Sequence, residues 1–546
     1  MILPLTPILF LLEAAENYGR KVGIVDGDKR LTYTEILDRA SRLAAALRDL
    51  GIEDGDRVAT LSFNCHQLLE AYYGVPIARA VLLSLNVRLS PEEQAYILEH
   101  SGAKFVLFDL DFQPLVDVLR KTLPSIEWVP LEAYDGRPDW VHSQTYEELL
   151  AAAEPQPVDF TTYDENALAE LFYTSGSTGS PKGVMLSHRT LYLHALYAIL
   201  AVRRRAGNVA ADQMCEMHII PLFHANGWGR PHTITFVGGR HIIVKRFDPA
   251  EVCELIAREQ VTAFSMVPTM ATTMVNFPGL GDYDLSSLQE VFVAGAAPSA
   301  ALIGEIEEKL GCHAFAGYGM TETSPVAAIA HVKDTLGEIT DTERVRRQAM
   351  TETLIGGVEV RVAAPDGKDV SKDGKTVGEI LFRGDVVMDG YWREPEATAE
   401  AIENNWLHSG DMAVWDEENY LLIVDRKKDI IISGGENISS IEIEKVLAGH
   451  AAVYEAAVVG VPDEKWGEVP AAFVVLKPGA SAAEDELKDF VRGHLAAFKA
   501  PRSVEFRDEL PKGATGKILK RALRDPHWEG MERHVHGSGQ QNPERQ

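Results

Sequence analysis

Strand and helix signals alternate through the first several hundred residues, and this rhythm limits the possible folds more than any other feature. Ile36, Ala40, Leu43, Leu47 and Leu50 recur at helical spacing, and Gly51 is placed to end that helix. Arg57–Leu61 reads as a strand. Ser90-Pro91-Glu92-Glu93 is a helix start, with a hydroxyl cap, a first-turn proline and a glutamate to close a capping box. Phe105–Phe108 and His241–Val244 read as strands. Asp248-Pro249-Ala250-Glu251 repeats the proline-led capping box, and Val261–Phe264 is the next strand. Such alternation predicts an α/β fold of mainly parallel sheets covered by helices.

A chain of 546 residues exceeds one core, so two or more domains are expected. Near Gly378–Gly384 the pattern shifts to short strands, and Trp415–Tyr420 reads as a hairpin turn. These predict a small antiparallel β module closing a large domain over residues 1–424. Asp425-Arg426-Lys427-Lys428-Asp429 is a compact charged break, expected as a hinge over 425–429. Signals at Ile441–Ala448, Ala456–Val461, Ala483–Leu495 and Val504–Arg507 predict a small, mobile α+β domain over 430–525. Residues 526–546 have no apolar period and are expected to form a disordered tail.

The net charge of −28 argues against nucleic acid or an anionic membrane as the main partner. Cys65, Cys215, Cys253 and Cys312 are scattered, which excludes a disulfide framework and fits a reducing cytoplasm. The apolar start, Met1–Leu12, is too short to span a bilayer and lacks a basic leader. It is expected to dock and enter a helix.

The chemistry centres on Tyr173–His188. Thr174, Ser175, Ser177 and Thr178 alternate with Gly176 and Gly179, and Lys182 follows. Glycines let the backbone approach a ligand, successive N–H groups form an anion cradle, and hydroxyls and a lysine add donors and charge. This predicts a polyphosphate site, without the closing Gly-Lys-Ser/Thr of a Walker loop. An apolar strand into the loop and an amphipathic stretch out of it predict a strand–loop–helix setting. A second cluster, Ala316-Gly317-Tyr318-Gly319-Met320-Thr321-Glu322, offers a flat backbone, a stacking ring, a hydroxyl and a carboxylate suited to Mg²⁺. Ser409-Gly410-Asp411 sets a carboxylate after a tight turn, able to accept both hydroxyls of a ribose. The apolar stretch Pro221–Trp228 suggests the wall of an acid pocket, with His224, Asn226 and Trp228 within it. Lys517, beside Gly516, could reach into a cleft and neutralise phosphate charge.

Together, Tyr-Thr-Ser-Gly-Ser-Thr-Gly-Ser-Pro-Lys-Gly, Gly-Tyr-Gly-Met-Thr-Glu-Thr, Ser-Gly-Asp, Asp-Arg-Lys-Lys-Asp and Pro-Lys-Gly-Ala-Thr-Gly-Lys resemble the adenylate-forming superfamily from about Thr32 to Lys520. That superfamily includes acyl-CoA synthetases, luciferases and nonribosomal adenylation domains. The resemblance implies ATP, Mg²⁺ and coenzyme A, and a two-step reaction through acyl-AMP. It implies Thr174 and Glu322 as the Mg²⁺–phosphate pair, and Gly295, Ala316, Gly317, Tyr318 and Thr321 around adenine and the α-phosphate. It further implies Asp411 on the ribose with Arg426 near it, Lys428 at the pivot, and Lys517 as the lysine of adenylation. Gly295 and Gly319, with His224, Asn226 and Trp228, would border the acyl group. Gly434, Gly435 and Glu436 resemble the thiol-accepting segment.

Within the superfamily, Pro-Leu-Phe-His-Ala-Asn-Gly-Trp and Ile-Ser-Gly-Gly-Glu-Asn-Ile-Ser are similar to medium- and long-chain fatty acyl-CoA ligases. Short acids such as methylthiopropionate, and aryl acids, are the alternatives. A ligase loading a carrier protein and a non-catalytic nucleotide-binding module are the competing classes. Partners are therefore a carboxylic acid, ATP and CoA, with a homodimer left open.

Overall fold

The computed structural model describes residues 3–133, 141–159, 162–174, 180–203, 210–351, 353–354, 356–434, 436–513 and 517–529. The chain divides into two units, Met1–Glu359 with Phe382–Leu407, and Val360–Leu381 with His408–Gln546.

Two sheets organise the first unit. In the seven-stranded one, Glu127–Pro130, Ala103–Phe108, Arg57–Leu61, Val81–Ser84 and Leu168–Thr174 run parallel. Lys182–Ser187 then pairs antiparallel with Leu168–Thr174, and Gly390–Tyr391 pairs antiparallel with Lys182–Ser187. The nine-stranded sheet has a parallel centre: Val22–Asp26, Arg240–Ile243, Cys215–His218, Ala263–Met266, Glu290–Val293 and His313–Gly319. Antiparallel strands close both edges, as Lys29–Thr32 and as Val326–Ile329 followed by Thr353–Leu354. Strands buried on both faces are mostly apolar, as Val81–Ser84 and Ala263–Met266 are with one serine each. A further, five-stranded sheet, most of whose residues belong to the second unit, contains Val358–Ala363, Gly378–Gly384, Trp406–Trp415 and Leu421–Arg426. The fold is thus the expected α/β arrangement with an added antiparallel sheet.

Local signals explain most elements. Thr32, Ser90 and Thr145 each cap a helix through a reciprocal capping box with Glu35, Glu93 and Glu148. Gly51 has φ +86°, the left-handed conformation that suits glycine just past the helix Tyr33–Asp49. Asp248 caps Pro249–Glu259 by accepting from the amides of Ala250 and Glu251, and no reciprocal glutamate bond completes the box there. The expected strand Val261–Phe264 lies two residues later, at Ala263–Met266. Thr262 is instead spent on a side-chain bond to the Cys215 amide at 2.9 Å. The amino-terminal segment enters the helix Ile8–Tyr18 and buries Ile8, Phe10 and Leu11.

In the second unit, Glu436–Ile438, Ile431–Ser433, Gly467–Leu476 and Val453–Asp463 form a sheet, with Ser503–Phe506 parallel to Gly467–Leu476. The helices Ser440–Ala448 and Glu484–His494 contribute Ile443, Leu447, Leu487 and Val491 to a core with Val458 and Val474. Leu510 and Leu523 cover Ala457 and Phe473 in another cluster. The expected tail beyond residue 529 lies outside the described residues.

Buried histidines set the acid limit of stability. Burial pushes His188 and His218 down to about 4 and His194 down to about 3, and drives His241 lower than its ordinary range as well. An unfolded imidazole titrates near 6.5, so between about pH 6.5 and 4 the unfolded chain binds more protons than the folded one. The stability is present above that window and is lost as pH falls through it. Thermal unfolding midpoints should be flat above about pH 7 and fall steeply below about 6. A midpoint that holds down to about pH 5 would show that these rings are not buried as neutral groups.

Candidate active site

The hairpin Leu168–Thr174/Lys182–Ser187 presents the first cluster. Its register pairs Thr174 with Lys182 and Tyr173 with Gly183. The glycine–hydroxyl loop therefore joins two strands, which corrects the expected strand–loop–helix setting. Val184 and Leu186 are buried in the sheet, so the chain continues as a strand before turning helical at His188. The Ser187 hydroxyl accepts from the Thr190 amide at 3.3 Å and caps that helix. Ser175, Gly176, Ser177, Thr178 and Gly179 lie outside the described residues.

Two segments converge beside this hairpin. Gly390–Tyr391 pairs with Val184 and Met185, and the Trp392 amide donates to the Gly183 carbonyl at 2.7 Å. The Met388 amide donates to the Glu322 carbonyl at 2.9 Å. The Tyr391 hydroxyl donates to Glu322 Oε1 at 2.9 Å, and Lys182 Nζ lies 5.1 Å from the Tyr391 ring centroid. Lysine and carboxylate thus flank one phenol, with Thr174 across the hairpin. Burial, with Glu322 beside it, pushes the Tyr391 phenol above its usual range, so it donates as a neutral hydroxyl. Glu322 is itself buried.

The second glycine cluster begins inside the strand His313–Gly319, which holds Ala316–Gly319, and runs on past its end. Packing accounts for two of its glycines. A Cβ on Gly317 would stand 1.9 Å from the Phe292 ring, and one on Gly319 would stand 1.9 Å from the Pro325 carbonyl oxygen. Thr321 and Glu322 follow in a short 3-10 turn, and both are buried. Val293 pairs with Ala316, and Gly295 follows two residues on with φ +84°, so this turn needs a glycine. Tyr318 packs near Phe382, with ring centroids 5.8 Å apart.

His224 precedes the helix Ala225–Phe236, while the side chains of Asn226 and Trp228 lie outside the described residues. Asn64 laces the approach to His224: its amide donates to the His218 and Ile220 carbonyls at 3.0 and 3.1 Å, and its oxygen accepts from the Leu222 amide at 2.7 Å.

The other predicted residues lie in the second unit. Ser409-Gly410-Asp411 sits within the strand Trp406–Trp415, not in a tight turn. Gly410 has φ +70°, and its amide donates to Glu379 Oε1 at 3.1 Å, which kinks the strand locally. Asp411 is buried, and Arg426 Nε lies 3.3 Å from its Oδ1. Burial pulls the Lys428 ammonium below the ordinary lysine range. Gly434 has φ +60° and faces Trp466, where a Cβ would lie 2.7 Å from the ring. Glu436 is exposed, and Gly435 is outside the described residues. Lys517 closes a small loop, its carbonyl accepting from the Gly513 amide at 2.7 Å, with Lys512 and Ile518 bridged beside it.

Tyr391 and Asn64 were not singled out by the sequence reading. The only local signal for Tyr391 was a glycine before an aromatic pair, Gly390-Tyr391-Trp392.

A parallel α/β unit with a buried carboxylate and a half-buried phenol and lysine beside a glycine–hydroxyl hairpin is the architecture of an adenylating enzyme. Residues 11–392 match the AMP-binding enzyme family, and residues 442–517 match the AMP-binding enzyme C-terminal domain. The chain belongs to this family, as an acyl-CoA ligase of the adenylate-forming superfamily. It is 39% identical to a long-chain-fatty-acid–CoA ligase of Thermus thermophilus over 95% of each chain. It is 36% identical to a peroxisomal butyrate–CoA ligase of Arabidopsis thaliana, over 96% of this chain and 93% of the relative. Among solved structures, an anthranilate CoA ligase in complex with anthranoyl-AMP superposes with a TM-score of 0.87, at 26% identity, over 96% of this chain and 98% of that one. No helix among the described residues is long and apolar enough to cross a membrane.

Proposed function

We infer that this ligase couples ATP cleavage to thioester formation on an aliphatic carboxylic acid, using the cluster Thr174, Lys182, Glu322 and Tyr391. The observation that carries this reading is the buried Glu322, held by the Tyr391 hydroxyl on one side and the Met388 amide on the other. A lone buried carboxylate suits Mg²⁺, which takes one or two carboxylates and fills its other positions with phosphate and water. Among the described residues no group of three or more His, Cys, Asp or Glu could hold a metal by itself. Glu322 and Thr174 would hold the ion, and when bound it would neutralise phosphate charge.

In the first half-reaction, an oxygen of the acid carboxylate attacks the α-phosphorus of ATP and the bond to pyrophosphate breaks. Lys182 and Lys517 meet the growing negative charge on phosphate oxygens. Tyr318 and Gly317 border the base, Gly295 and Thr321 the α-phosphate, and Asp411 accepts the ribose hydroxyls beside Arg426. In the second half-reaction the CoA thiolate attacks the acyl carbon, AMP departs, and Gly434 and Glu436 border the incoming thiol. The segment 425–429, with Lys428, is the pivot between the two arrangements, large domain before it and small domain after it.

Incubation with ATP, CoA and acids of about two to eighteen carbons, reading AMP and acyl-CoA, tests the proposal; each methylene adds about 0.8 kcal/mol when buried. Pyrophosphate and AMP release with none of them would refute it. Tyr391→Phe removes a donor to a buried charge, a bond of about 1.5–3 kcal/mol. Adenylation should fall by about one to two orders of magnitude, and the thermal unfolding midpoint should fall as well, because the buried Glu322 loses a donor. A rate within about twofold of the parent would remove Tyr391 from the site.

A further inference from the structure

Behind the strand that carries Ala316–Gly319 lies a small, partly open cavity of about 20 Å³. Its apolar walls include Phe292, Phe315 and Val326, and its polar ones Glu216, Arg230, Ser265 and Glu290, whose charge also acts on Arg230. Gly317 packs directly on the Phe292 ring, and Val326 is the strand partner of Gly319. Arg230 stands on the helix Ala225–Phe236 that follows His224. The cavity is therefore bounded by the same strands and helix whose neighbouring residues are assigned to nucleotide and acid.

Two features set it apart from an apolar pocket. Arg230 and Glu216 form a two-point ion pair, Nε–Oε1 at 3.0 Å and Nη2–Oε2 at 2.6 Å, with side chains 12% and 2% exposed. The Ser265 hydroxyl is buried, lines the cavity and has no hydrogen-bond partner among the described residues. A buried hydroxyl without a partner is costly, and native structures rarely leave one so. The volume is that of about one water molecule or one small polar group, and too little for an extended alkyl tail. An alkyl end driven into it would also have to displace a buried ion pair whose charges need each other.

We propose that this cavity is the far end of the acid site, and that it selects a carboxylic acid ending in a hydrogen-bonding group, a hydroxyl in the simplest case, over an unsubstituted fatty acid. Ser265 supplies the partner for that terminal group, and the Arg230–Glu216 pair stops longer apolar chains. The inference rests on the ligase reading above and names its substrate class.

The test compares matched acids, unsubstituted and ω-hydroxylated, at each length from about four to ten carbons, by acid-dependent ATP–pyrophosphate exchange. The parent enzyme should show one length at which the hydroxy acid is favoured in kcat/KM by about tenfold or more, since a site built to bond a hydroxyl rejects the analogue lacking it. Ser265→Ala should bring that ratio near one while leaving the KM for ATP unchanged. The double variant Arg230→Ala with Glu216→Ala, which removes both charges together and opens space, should extend activity toward longer unsubstituted acids. A parent ratio at or below one at every length would overturn the proposal without any variant, and so would a ratio that Ser265→Ala leaves intact in a folded protein. Exchange that ignores the terminal group refutes this inference alone; exchange with no acid at all refutes the ligase reading, and this inference with it.

Discussion

Replacing Lys517 by alanine is expected to lower acyl-AMP formation by about two to three orders of magnitude and to leave thioester formation from supplied acyl-AMP nearly intact. The size follows from the cost of removing one preorganised donor from a charge that develops in the transition state. The separation follows from where charge appears. The first half-reaction builds negative charge on phosphate oxygens, which an ammonium stabilises; the second moves charge from a thiolate to a departing AMP. Lys517 is set on a short loop whose two sides are tied, by Gly513 to Lys517 and by Leu519 to Pro511 at 2.7 and 2.8 Å. Its backbone is thus held independently of its side chain, and the alanine variant should fold as the parent does. Rapid-quench measurement of each half-reaction decides the matter. Equal loss in both would place Lys517 in a general structural role and refute the division of labour.

Glu322→Gln is the second large effect. The amide oxygen can still accept from the Tyr391 hydroxyl, and the Met388–Glu322 bond is between backbone atoms, so both of these bonds survive the change. What disappears is one buried negative charge. If that charge holds the divalent ion on the phosphates, adenylation should fall by about 10²–10³ and the Mg²⁺ requirement should rise. Thermal stability should stay level or increase, because an ionised carboxylate in a buried site carries a desolvation cost that the amide avoids. A variant with parental activity at the parental Mg²⁺ concentration would show that Glu322 is a structural acceptor for Tyr391 and nothing more.

Much of the architecture can be derived from local order along the chain. Helix starts at Thr32 and Ser90 are written in three or four adjacent residues, because capping is short-range chemistry. The same holds for strand runs such as Arg57–Leu61 and Gly378–Gly384, which appear where their apolar pattern places them. The candidate residues Thr174, Lys182, Glu322 and Asp411 could be chosen because their motifs cluster glycine, hydroxyl and charge.

The setting of those residues was another matter. The loop after Thr174 returns as a strand because Lys182–Ser187 finds two partners, one of them more than two hundred residues away at Gly390–Tyr391. Gly317 and Gly319 look from sequence like room for a ligand, yet each is also required by a neighbour, Phe292 or Pro325, that only folding brings within 2 Å of an added Cβ. Asp411 reads as a turn residue, whereas pairing with Arg426 draws it into a strand. Tyr391 has only the glycine before it as a local signal, and the Ser265 hydroxyl beside the Arg230–Glu216 pair has none. Caps, periodicity and motif chemistry act over a few residues and were therefore determined by the sequence alone. Strand partnership, close packing and the meeting of a phenol with a distant carboxylate depend on which surfaces exclude water together, and that only the tertiary structure decided.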